Sequence, residues 1–327
     1  MPAGLIAQQP TERREHSRLL VLPARGSLQH RRFAALPVLL RAGDLLIAND
    51  TRVRRARLRA KRRGGGAAEL LLLHPLADHS WEAMVRPAQR IRVGDRLELA
   101  PGAHVDVIGR TAEGNRIVRF AGLDAVEAME RFGELPLPPY IKKPPPKAAA
   151  RYQTVYAAHD GSAAAPTAGL HFSTQLIARL KTAGAGWTTI TLHVGSGTFR
   201  PVRSDDLSEH VMHAERYEIS SSAAAAITRT RAIGGRIVAV GTTVLRALEA
   251  SGGQAGAQST DLFIYPPYRF KLVDVLITNF HLPRSTLLML ACAFGGKERV
   301  MSAYAEAIRL GYRFYSFGDA MLIERVA

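Results

Sequence analysis

Between residues 64 and 122, the apolar residues occur in short runs that are separated by turn residues. One run, Trp81-Glu82-Ala83-Met84-Val85, alternates apolar and polar positions as a half-buried strand does. Turn residues such as Pro101-Gly102 separate consecutive runs. The runs begin near Ala68, Trp81, Asp95, His104 and Asn115. Five short strands at this spacing predict a small antiparallel barrel or sandwich.

From about residue 152 onward, the pattern changes to strands that alternate with helices. Residues 173–183 predict a helix that has Ser173 or Thr174 as its N-cap. Apolar and β-branched runs predict strands at residues 44–48, 187–194, 236–240 and 274–278. The alternation indicates an α/β fold in which helices cover a mostly parallel sheet.

A proline-rich segment separates the two patterns. It contains Pro136-Leu137-Pro138-Pro139-Tyr140 and Pro144-Pro145-Pro146. Proline fixes its own φ and favours an extended polyproline conformation. The segment therefore predicts a connector between domains. On pattern alone, residues 1–63 would form a separate arm.

The chain is basic, and its positive charge is concentrated near the N-terminus. The 327 residues include 44 Lys and Arg against 28 Asp and Glu, which gives a net charge of +16. Residues 52–63 contain eight basic residues and no acid. Such a block is typical of a contact for a polyanion or of a solvated surface. Both alternatives stay open, because 37 of the 44 basic residues are arginine and compositional drift could have placed them.

Several classes of protein are excluded by what the sequence lacks. The single cysteine, Cys292, excludes an intramolecular disulfide framework and a zinc site with several cysteines. The N-terminus has no basic stretch followed by an apolar run, so we expect no secretory signal. The apolar stretch at residues 285–294 is too short to span a membrane. We therefore expect a soluble, cytoplasmic protein without membrane partners.

Polar residues cluster where predicted strands end. The six clusters occupy residues 49–52, 165–172, 193–199, 210–215, 241–243 and 278–281. In open α/β sheets, ligands bind beyond the carboxyl ends of the strands, where such loops meet. The familiar phosphate-binding, dinucleotide-binding, serine-hydrolase and zinc-protease motifs are absent from the sequence.

Each cluster also has a structural interpretation. Gly195-Ser196-Gly197 could be a turn, and Gly241-Thr242-Thr243 could be a helix cap or a contact for an anion or a ribose. His171 and His281 could be hydrogen-bonded structural histidines. The spacing of His210, His213 and Glu215 fits no common zinc motif, so we expect no metal site. Composition and spacing alone indicate a basic two-domain α/β protein and name no reaction.

Eight segments, in order, resemble motifs of the S-adenosylmethionine:tRNA ribosyltransferase-isomerase family of queuosine biosynthesis. They are residues 49–53, 136–141, 152–157, 164–172, 193–195, 241–243, 278–283 and 312–316. The resemblance extends from Leu5 to Ile323. It implies an α/β domain built from residues 1–63 and 151–327. A small antiparallel β-barrel and the proline-rich connector, residues 64–150, would be inserted into that domain.

The resemblance also implies a reaction. The family transfers the ribosyl part of S-adenosylmethionine to 7-aminomethyl-7-deazaguanine at the wobble position of tRNA. The products are epoxyqueuosine in tRNA, adenine and methionine. S-adenosylmethionine is thus a consumed cosubstrate, and we expect no permanently bound cofactor and no metal. The reaction needs a base beside the sulfonium, an acid for adenine and a neutral attacking amine, roles that suit histidines and a carboxylate.

The matching motifs and the polar clusters supply the candidates for catalysis and substrate binding, and the basic block supplies the candidates for tRNA binding. We expect the protein to act as a monomer. Proton transfer is assigned to His171, His213 and Glu215, followed by Asp50 and His281. Substrate binding is assigned to Asn49, Thr51, Arg52, Thr167, Gly169, Phe172, His193, Gly195, Gly197, Thr242, Thr243, Asn279 and Phe280. Contacts with tRNA phosphates are assigned to Arg57, Arg59 and Lys61.

Two other functions remain possible from the sequence. One is an S-adenosylmethionine-dependent tRNA methyltransferase, which the absence of a glycine-rich loop after the first strand disfavours. The other is a non-catalytic RNA-binding protein, in which the barrel would act as an oligonucleotide-binding fold. The polar clusters at the strand ends disfavour this second alternative.

Overall fold

The computed structural model describes residues 2–142, 148–193, 212 and 214–326. The chain divides into two compact units. The sheet unit comprises Met1–Arg52, Pro139–His159 and Ala165–Ala327. The barrel unit comprises Val53–Pro138 and Asp160–Ala164.

The strands of the described residues are, in chain order, β1 (Arg18–Leu22), β2 (Gln29–Arg32), β3 (Leu45–Asn49), β4 (Thr51–Val53), β5 (Arg57–Arg62), β6 (Ala67–Pro75), β7 (Trp81–Arg86), β8 (Arg96–Ala100), β9 (Ala103–Arg110), β10 (Arg116–Ala121), β11 (His159–Ser162), β12 (Gly186–Leu192), β13 (Glu215–Ile219), β14 (Ile237–Val240), β15 (Gly256–Thr260), β16 (Val275–Asn279) and β17 (Ala320–Glu324). The helices are α1 (Leu36–Leu39), α2 (Ala125–Phe132), α3 (Ala148–Arg151), α4 (Thr174–Thr182), α5 (Ser221–Ala232), α6 (Thr242–Ser251), α7 (Thr286–Gly295) and α8 (Lys297–Arg309).

The sheet unit contains a mixed sheet in the order β15-β13-β12-β3-β14-β16-β17-β1-β2. Its central strands β12, β3, β14 and β16 are parallel to their neighbours within this set. The outer pairs β15–β13, β13–β12, β16–β17 and β1–β2 are antiparallel. The predicted α/β fold with an inserted barrel is confirmed. The sheet, however, is mixed rather than mostly parallel, because β13, β15 and β17 add antiparallel strands that the alternation of strands and helices did not indicate.

Burial explains why the central strands are read so clearly from the sequence. Every residue of β3, β14 and β16 is buried, as expected for parallel strands that have both faces covered. On one face, Leu46, Val238 and Ile277 pack with Phe172 and Leu176, which precede and begin α4. The side chain of Ser173 accepts a hydrogen bond from the amide of Leu176 at 3.0 Å, which confirms Ser173 as the predicted N-cap.

The strand order changes direction at β3. This strand lies between β12 and β14, so the chain adds one later strand on one side of β3 and the next on the other side. At its carboxyl end β3 continues into β4, whereas β14 continues directly into α6. In open α/β sheets, ligands bind beyond the carboxyl ends of the strands, near such a switch point.

The barrel unit is a closed barrel in the order β10-β7-β6-β5-β8-β9. Its interior contains Leu58, Leu70, Leu97, Val105 and Val118, all fully buried. Five of its strands match the prediction, and β5 is the additional one. Strand β5 was not predicted because the basic residues 52–63 dominate this part of the sequence. Its residues nevertheless alternate as a strand does: Leu58 and Ala60 are buried, and Arg59 and Lys61 are exposed. Because β5 belongs to the barrel, the units divide after Arg52 rather than after residue 63, and after Pro138 rather than after residue 150.

Asp44, in the turn before β3, ties the starts of two central strands together. Its carboxylate is 1% exposed and accepts hydrogen bonds from the amide of Arg41 at 2.8 Å and from Nη2 of Arg236 at 2.6 Å. Asp44→Ala should lower the free energy of unfolding by about 3–5 kcal/mol, because the arginine would lose its buried partner. Denaturant unfolding, followed by Trp187 fluorescence in a Trp81→Phe background, measures the sheet unit.

Arg309→Ala is the control, because its ion pair with Glu306 is largely solvent-exposed on Arg309 and such pairs contribute little. Its unfolding midpoint should match that of the parent protein. An Asp44→Ala midpoint equal to that of the control would contradict the structural role of Asp44.

Candidate active site

A cleft lies at the carboxyl ends of β14 and β16. About 80 Å³ of its interior is accessible to water. Its lining consists of residues 165–168, 241–243 and 278–282 together with Tyr140, Ser285, Leu287, Tyr315 and Ser316. The described residues that line it include no Lys, Arg, Asp or Glu. The cleft thus offers backbone groups, hydroxyls, one amide, one imidazole and aromatic rings, but no fixed charge.

The first turn of α6 forms one wall of this cleft. Gly241 has a φ of +101°, which side-chain-bearing residues rarely adopt, and this turn allows the helix to begin directly after β14. No side chain caps the helix. The first amide groups of a helix have no partner within it and carry positive partial charge. Thr242 and Thr243, both buried, therefore present a polar, electropositive wall to the cleft.

Asn279, at the end of β16, has a fixed amide orientation. Its Nδ2 donates to the carbonyl of Tyr315 at 3.0 Å and lies 3.1 Å from Nε2 of His171. Because a carbonyl can only accept, Nδ2 must face Tyr315, and its second hydrogen points to His171. The side-chain Oδ1 is buried and has no hydrogen-bond partner among the described residues. An unpaired buried acceptor costs about 1–3 kcal/mol.

His171 lies behind the cleft wall rather than in it. Its Nδ1 is 2.8 Å from Oγ of Ser17, and its Nε2 accepts from Asn279. The ring stacks on Phe33 at a centroid distance of 5.0 Å. Burial lowers the pKa of His171 to about 4, despite the opposing effect of Asp319, so the ring is neutral near pH 7. Both nitrogens are engaged, and this geometry does not support the expected role in proton transfer.

Of the five expected proton-transfer residues, His281 is the one that the described residues place in the cleft lining. Its Nε2 lies 2.6 Å from Oγ1 of Thr278, and its amide donates to the hydroxyl of Tyr304 at 2.9 Å. Burial lowers the pKa of His281 to about 4, so this ring is also neutral near pH 7. Nδ1 has no protein partner among the described residues and is the nitrogen available to a ligand.

The cluster at the end of β3 joins two strands. The amide of Asn49 bonds with the backbone of Leu192 at 2.8 and 3.1 Å. Oδ1 of Asp50 accepts from the hydroxyl of Thr191 at 2.8 Å. The hydroxyl of Thr51 lies 2.9 Å from Nδ1 of His193. These side chains belong to the carboxyl edge of the sheet but do not line the cleft.

Glu215 forms a buried ion pair. Its Oε2 accepts from Nη1 of Arg246 on α6 at 2.6 Å, and both side chains are less than 10% exposed. Arg246 also donates to the carbonyl of Leu262 at 2.9 Å. Removing one partner of such a pair typically destabilises a protein strongly. The geometry gives Glu215 a structural role and places it outside the cleft lining.

The structure places the other expected residues in different surroundings. Thr167, Thr242, Thr243, Asn279 and Phe280 line the cleft, although the ring of Phe280 is fully buried among aromatic neighbours. Phe172 is a core residue, and a Cβ on Gly169 would come within 2.2 Å of the Tyr156 hydroxyl. Both are thus packing residues. Arg52 donates to the carbonyl of Ala157 at 2.9 Å. Gly195, Gly197 and His213 lie outside the described residues.

Two tyrosines in the cleft had no role in the sequence analysis. The rings of Tyr140 and Tyr315 are 4.6 Å apart, and the hydroxyl of Tyr140 lies 2.5 Å from that of Ser316. Burial raises the pKa of Tyr140 to about 12. Tyr315 has a φ of +69°, and such backbone conformations often accompany functional sites. Both tyrosines lie in segments that resemble the family, residues 136–141 and 312–316. That resemblance was the sequence signal that could have identified them as site residues.

In the barrel unit, the expected tRNA contacts already face acids. Arg59 makes two hydrogen bonds with Glu134, at 2.8 and 3.0 Å. Nε of Arg57 lies 3.5 Å from Glu69. Lys61 is paired in register with Glu98 on β8. Two arginines of the basic block, Arg57 and Arg59, therefore lie beside acids of the barrel unit.

Among the residues that the structure describes, no group of three or more His, Cys, Asp or Glu side chains is arranged to hold a metal ion. Within the same residues, no helix is both long and apolar enough to cross a membrane.

Comparisons with known proteins show the family of this chain. The family model described as "Queuosine biosynthesis protein" matches residues 1–323. The chain is 54% identical to the S-adenosylmethionine:tRNA ribosyltransferase-isomerase of Moorella thermoacetica, over 99% of this chain and 97% of that protein. It is 52% identical to the protein of the same name from Gloeobacter violaceus, over 99% and 93%.

A solved structure extends this similarity to the fold. The crystal structure of S-adenosylmethionine tRNA ribosyltransferase from Thermotoga maritima is 39% identical and has a TM-score of 0.56, covering 99% of this chain and 98% of that one. With a family model and these relatives matched along nearly its whole length, the chain belongs to the S-adenosylmethionine:tRNA ribosyltransferase-isomerase family of queuosine biosynthesis.

Proposed function

We propose that this protein transfers the ribosyl moiety of S-adenosylmethionine to 7-aminomethyl-7-deazaguanine at the tRNA wobble position and isomerises it. The products are epoxyqueuosine-tRNA, adenine and methionine. One observation carries the proposal beyond family membership. Five of the eight family-like segments contribute residues to a single cleft at the carboxyl edge of the sheet.

The cleft suits a cosubstrate with a cationic centre and ring systems. The paired rings of Tyr140 and Tyr315 offer aromatic faces to a sulfonium or to a heterocycle. A sulfonium acidifies the adjacent carbon, so a neutral acceptor nearby can remove a proton. We assign that position to Nδ1 of His281, because this ring is neutral and lies in the cleft lining.

Asp50 is the second candidate for proton transfer. It follows β3, which lies next to β14 in the sheet, and its carboxylate is 7% exposed. We propose that S-adenosylmethionine is consumed as a cosubstrate, with no metal and no permanently bound cofactor. We further propose that the protein acts in the cytoplasm, since its tRNA substrate is a cytoplasmic molecule. We also propose that it acts as a monomer.

The decisive experiment is product analysis. The purified protein, given S-adenosylmethionine and tRNA carrying the aminomethyl precursor, should release adenine and methionine in equal amounts and form epoxyqueuosine, also in the presence of chelator. The same tRNA with an unmodified wobble guanine is the control and should give no turnover, because it lacks the attacking amine. S-adenosylhomocysteine as the product would indicate a methyltransferase. No binding of S-adenosylmethionine would indicate an RNA-binding protein.

A substitution tests the role of His281. His281→Ala should lower turnover at saturating substrates by about 10²–10⁴-fold, the usual contribution of a general acid or base. Affinity for S-adenosylmethionine should change much less. Because the pKa of His281 is about 4, the ring stays deprotonated at neutral pH, and turnover that depends on it should fall only as the pH approaches 4.

His30→Ala is the matched control, because His30 lies on edge strand β2 with its side chain 41% exposed. Its turnover should equal that of the parent protein. Nearly unchanged turnover in His281→Ala would remove His281 from the reaction and leave Asp50 as the candidate.

The expected phosphate contacts of Arg57, Arg59 and Lys61 remain a proposal, and the barrel allows a sharper test. Lys61 and Arg63 are exposed at the end of β5 and in the following turn. Replacing both with Ala should reduce the log–log salt slope of tRNA binding by roughly 1.4–1.8, if each contacts a phosphate. Turnover at saturating tRNA should change little, because phosphate contacts position the RNA.

The control removes an ion pair outside the basic block. Arg131→Ala with Glu127→Ala leaves the net charge unchanged, so the salt slope should stay as in the parent protein. An unchanged slope in both variants would identify the basic block as solvated surface.

A further inference from the structure

We propose that the α-amino acid end of S-adenosylmethionine binds where α6 and β16 meet, with its carboxylate at the first turn of α6 and its ammonium against Oδ1 of Asn279. This inference rests on the proposed function of the cleft. It adds which end of the cosubstrate is held there and by which atoms.

The first argument is the unpaired carbonyl of Asn279. Both hydrogens of Nδ2 are committed, to the carbonyl of Tyr315 and to Nε2 of His171. The amide therefore cannot rotate without placing two acceptors against each other at Tyr315. Oδ1 remains as a buried acceptor in a residue that lines the cleft. Its partner must be a hydrogen-bond donor, and an ammonium is a strong one.

The second argument is the register of two neighbouring strands. Val240 of β14 is paired with Ile277 of β16, and the amide of Gly241 donates to the carbonyl of Ile277 at 2.8 Å. Thr242, the first residue of α6, and Asn279 each follow two positions after this pair, and both line the cleft. Adjacent strands are about 4.8 Å apart. One α-amino acid group, with its ammonium and carboxylate on the same carbon, can therefore reach both.

The third argument is the absence of fixed charge. The described lining residues include no Lys or Arg to balance a phosphate and no Asp or Glu to balance a lone cation. A helix N-terminus favours an anion, whereas Oδ1 of Asn279 favours a donor. A zwitterion satisfies both without leaving a net charge in the cleft. The α-amino acid end is the zwitterionic part of S-adenosylmethionine.

His171 then acts as a positioning residue. Its Nε2 must accept from Asn279, so the ring proton lies on Nδ1 and points to the hydroxyl of Ser17. Stacking on Phe33 fixes the plane of the ring. His171 would thus hold the amide of Asn279 in the orientation that presents Oδ1 to the ligand, without touching the ligand itself.

Ligand analogues test the proposal on the unmodified protein, by calorimetry without tRNA. The analogue that has hydrogen in place of the α-amino group should bind about 10–100-fold more weakly than S-adenosylmethionine, since it lacks a charged hydrogen bond. Decarboxylated S-adenosylmethionine should bind about 3–30-fold more weakly, because it lacks the anion at the helix. Equal affinity of either analogue and S-adenosylmethionine would overturn the proposal.

Variants identify the partner of the ammonium. Asn279→Ala should weaken binding of S-adenosylmethionine about 10–100-fold but leave the affinity for the des-amino analogue unchanged. Asn115→Ala, in the barrel unit, is the matched control and should bind both ligands as the parent protein does. Equal weakening of both ligands by Asn279→Ala would assign the residue to another part of the cosubstrate and overturn the proposal.

His171→Phe preserves the aromatic stack but removes the acceptor for Asn279. This variant should bind S-adenosylmethionine more weakly, while its affinity for the des-amino analogue should stay unchanged. His171→Gln should restore part of the affinity for S-adenosylmethionine, because the new side-chain carbonyl can accept a hydrogen bond from Nδ2 of Asn279. If His171→Phe lost affinity for both ligands, His171 would have a purely structural role. Turnover by the parent protein is measured separately, so a wrong binding mode for the α-amino acid end is distinguishable from failure of the proposed function.

Discussion

The parallel alignment of β12, β3, β14 and β16 brings the starts of four loops to one edge of the sheet. Of these strands, β3, β14 and β16 are buried along their whole length, so their polar residues are confined to the ends. At these ends Asn49 and Asp50 join β3 to β12, while α6 and Asn279 form the cleft. The site is thus a direct result of the constraint that packs the sheet.

Within the cleft, polarity is supplied by dipoles and hydrogen-bonding groups rather than by ions. The carboxylate of Glu215, which lies outside the lining, forms a buried pair with Arg246. Burial keeps the rings of His171 and His281 neutral near pH 7. A neutral cleft also avoids the desolvation that a fixed charge would require.

The sequence predicted the elements that have strong local signals. The N-cap at Ser173 and the fully buried central strands depend on residues that are adjacent in the chain. Strand β5 was missed because its outward arginines dominated a pattern whose alternate residues are apolar. The site was predicted in part: His281 and Asn279 line the cleft, but His171 does not. His171 instead contacts Ser17, which lies 154 positions earlier in the chain. No local sequence pattern contains a contact of this kind.

The chain of contacts from Ser17 through His171 and Asn279 to Tyr315 has a consequence for how this protein can change over generations. Each member sets the donor or acceptor state of the next, so the effect of replacing one depends on which residues occupy the others. A change at Ser17 that reversed the proton position on His171 would become tolerable only after a compensating change at Asn279. Tyr315 contributes a backbone carbonyl, which any residue supplies. Ser17, His171 and Asn279 are therefore the positions expected to evolve as a linked set, with few single-step routes between functional combinations.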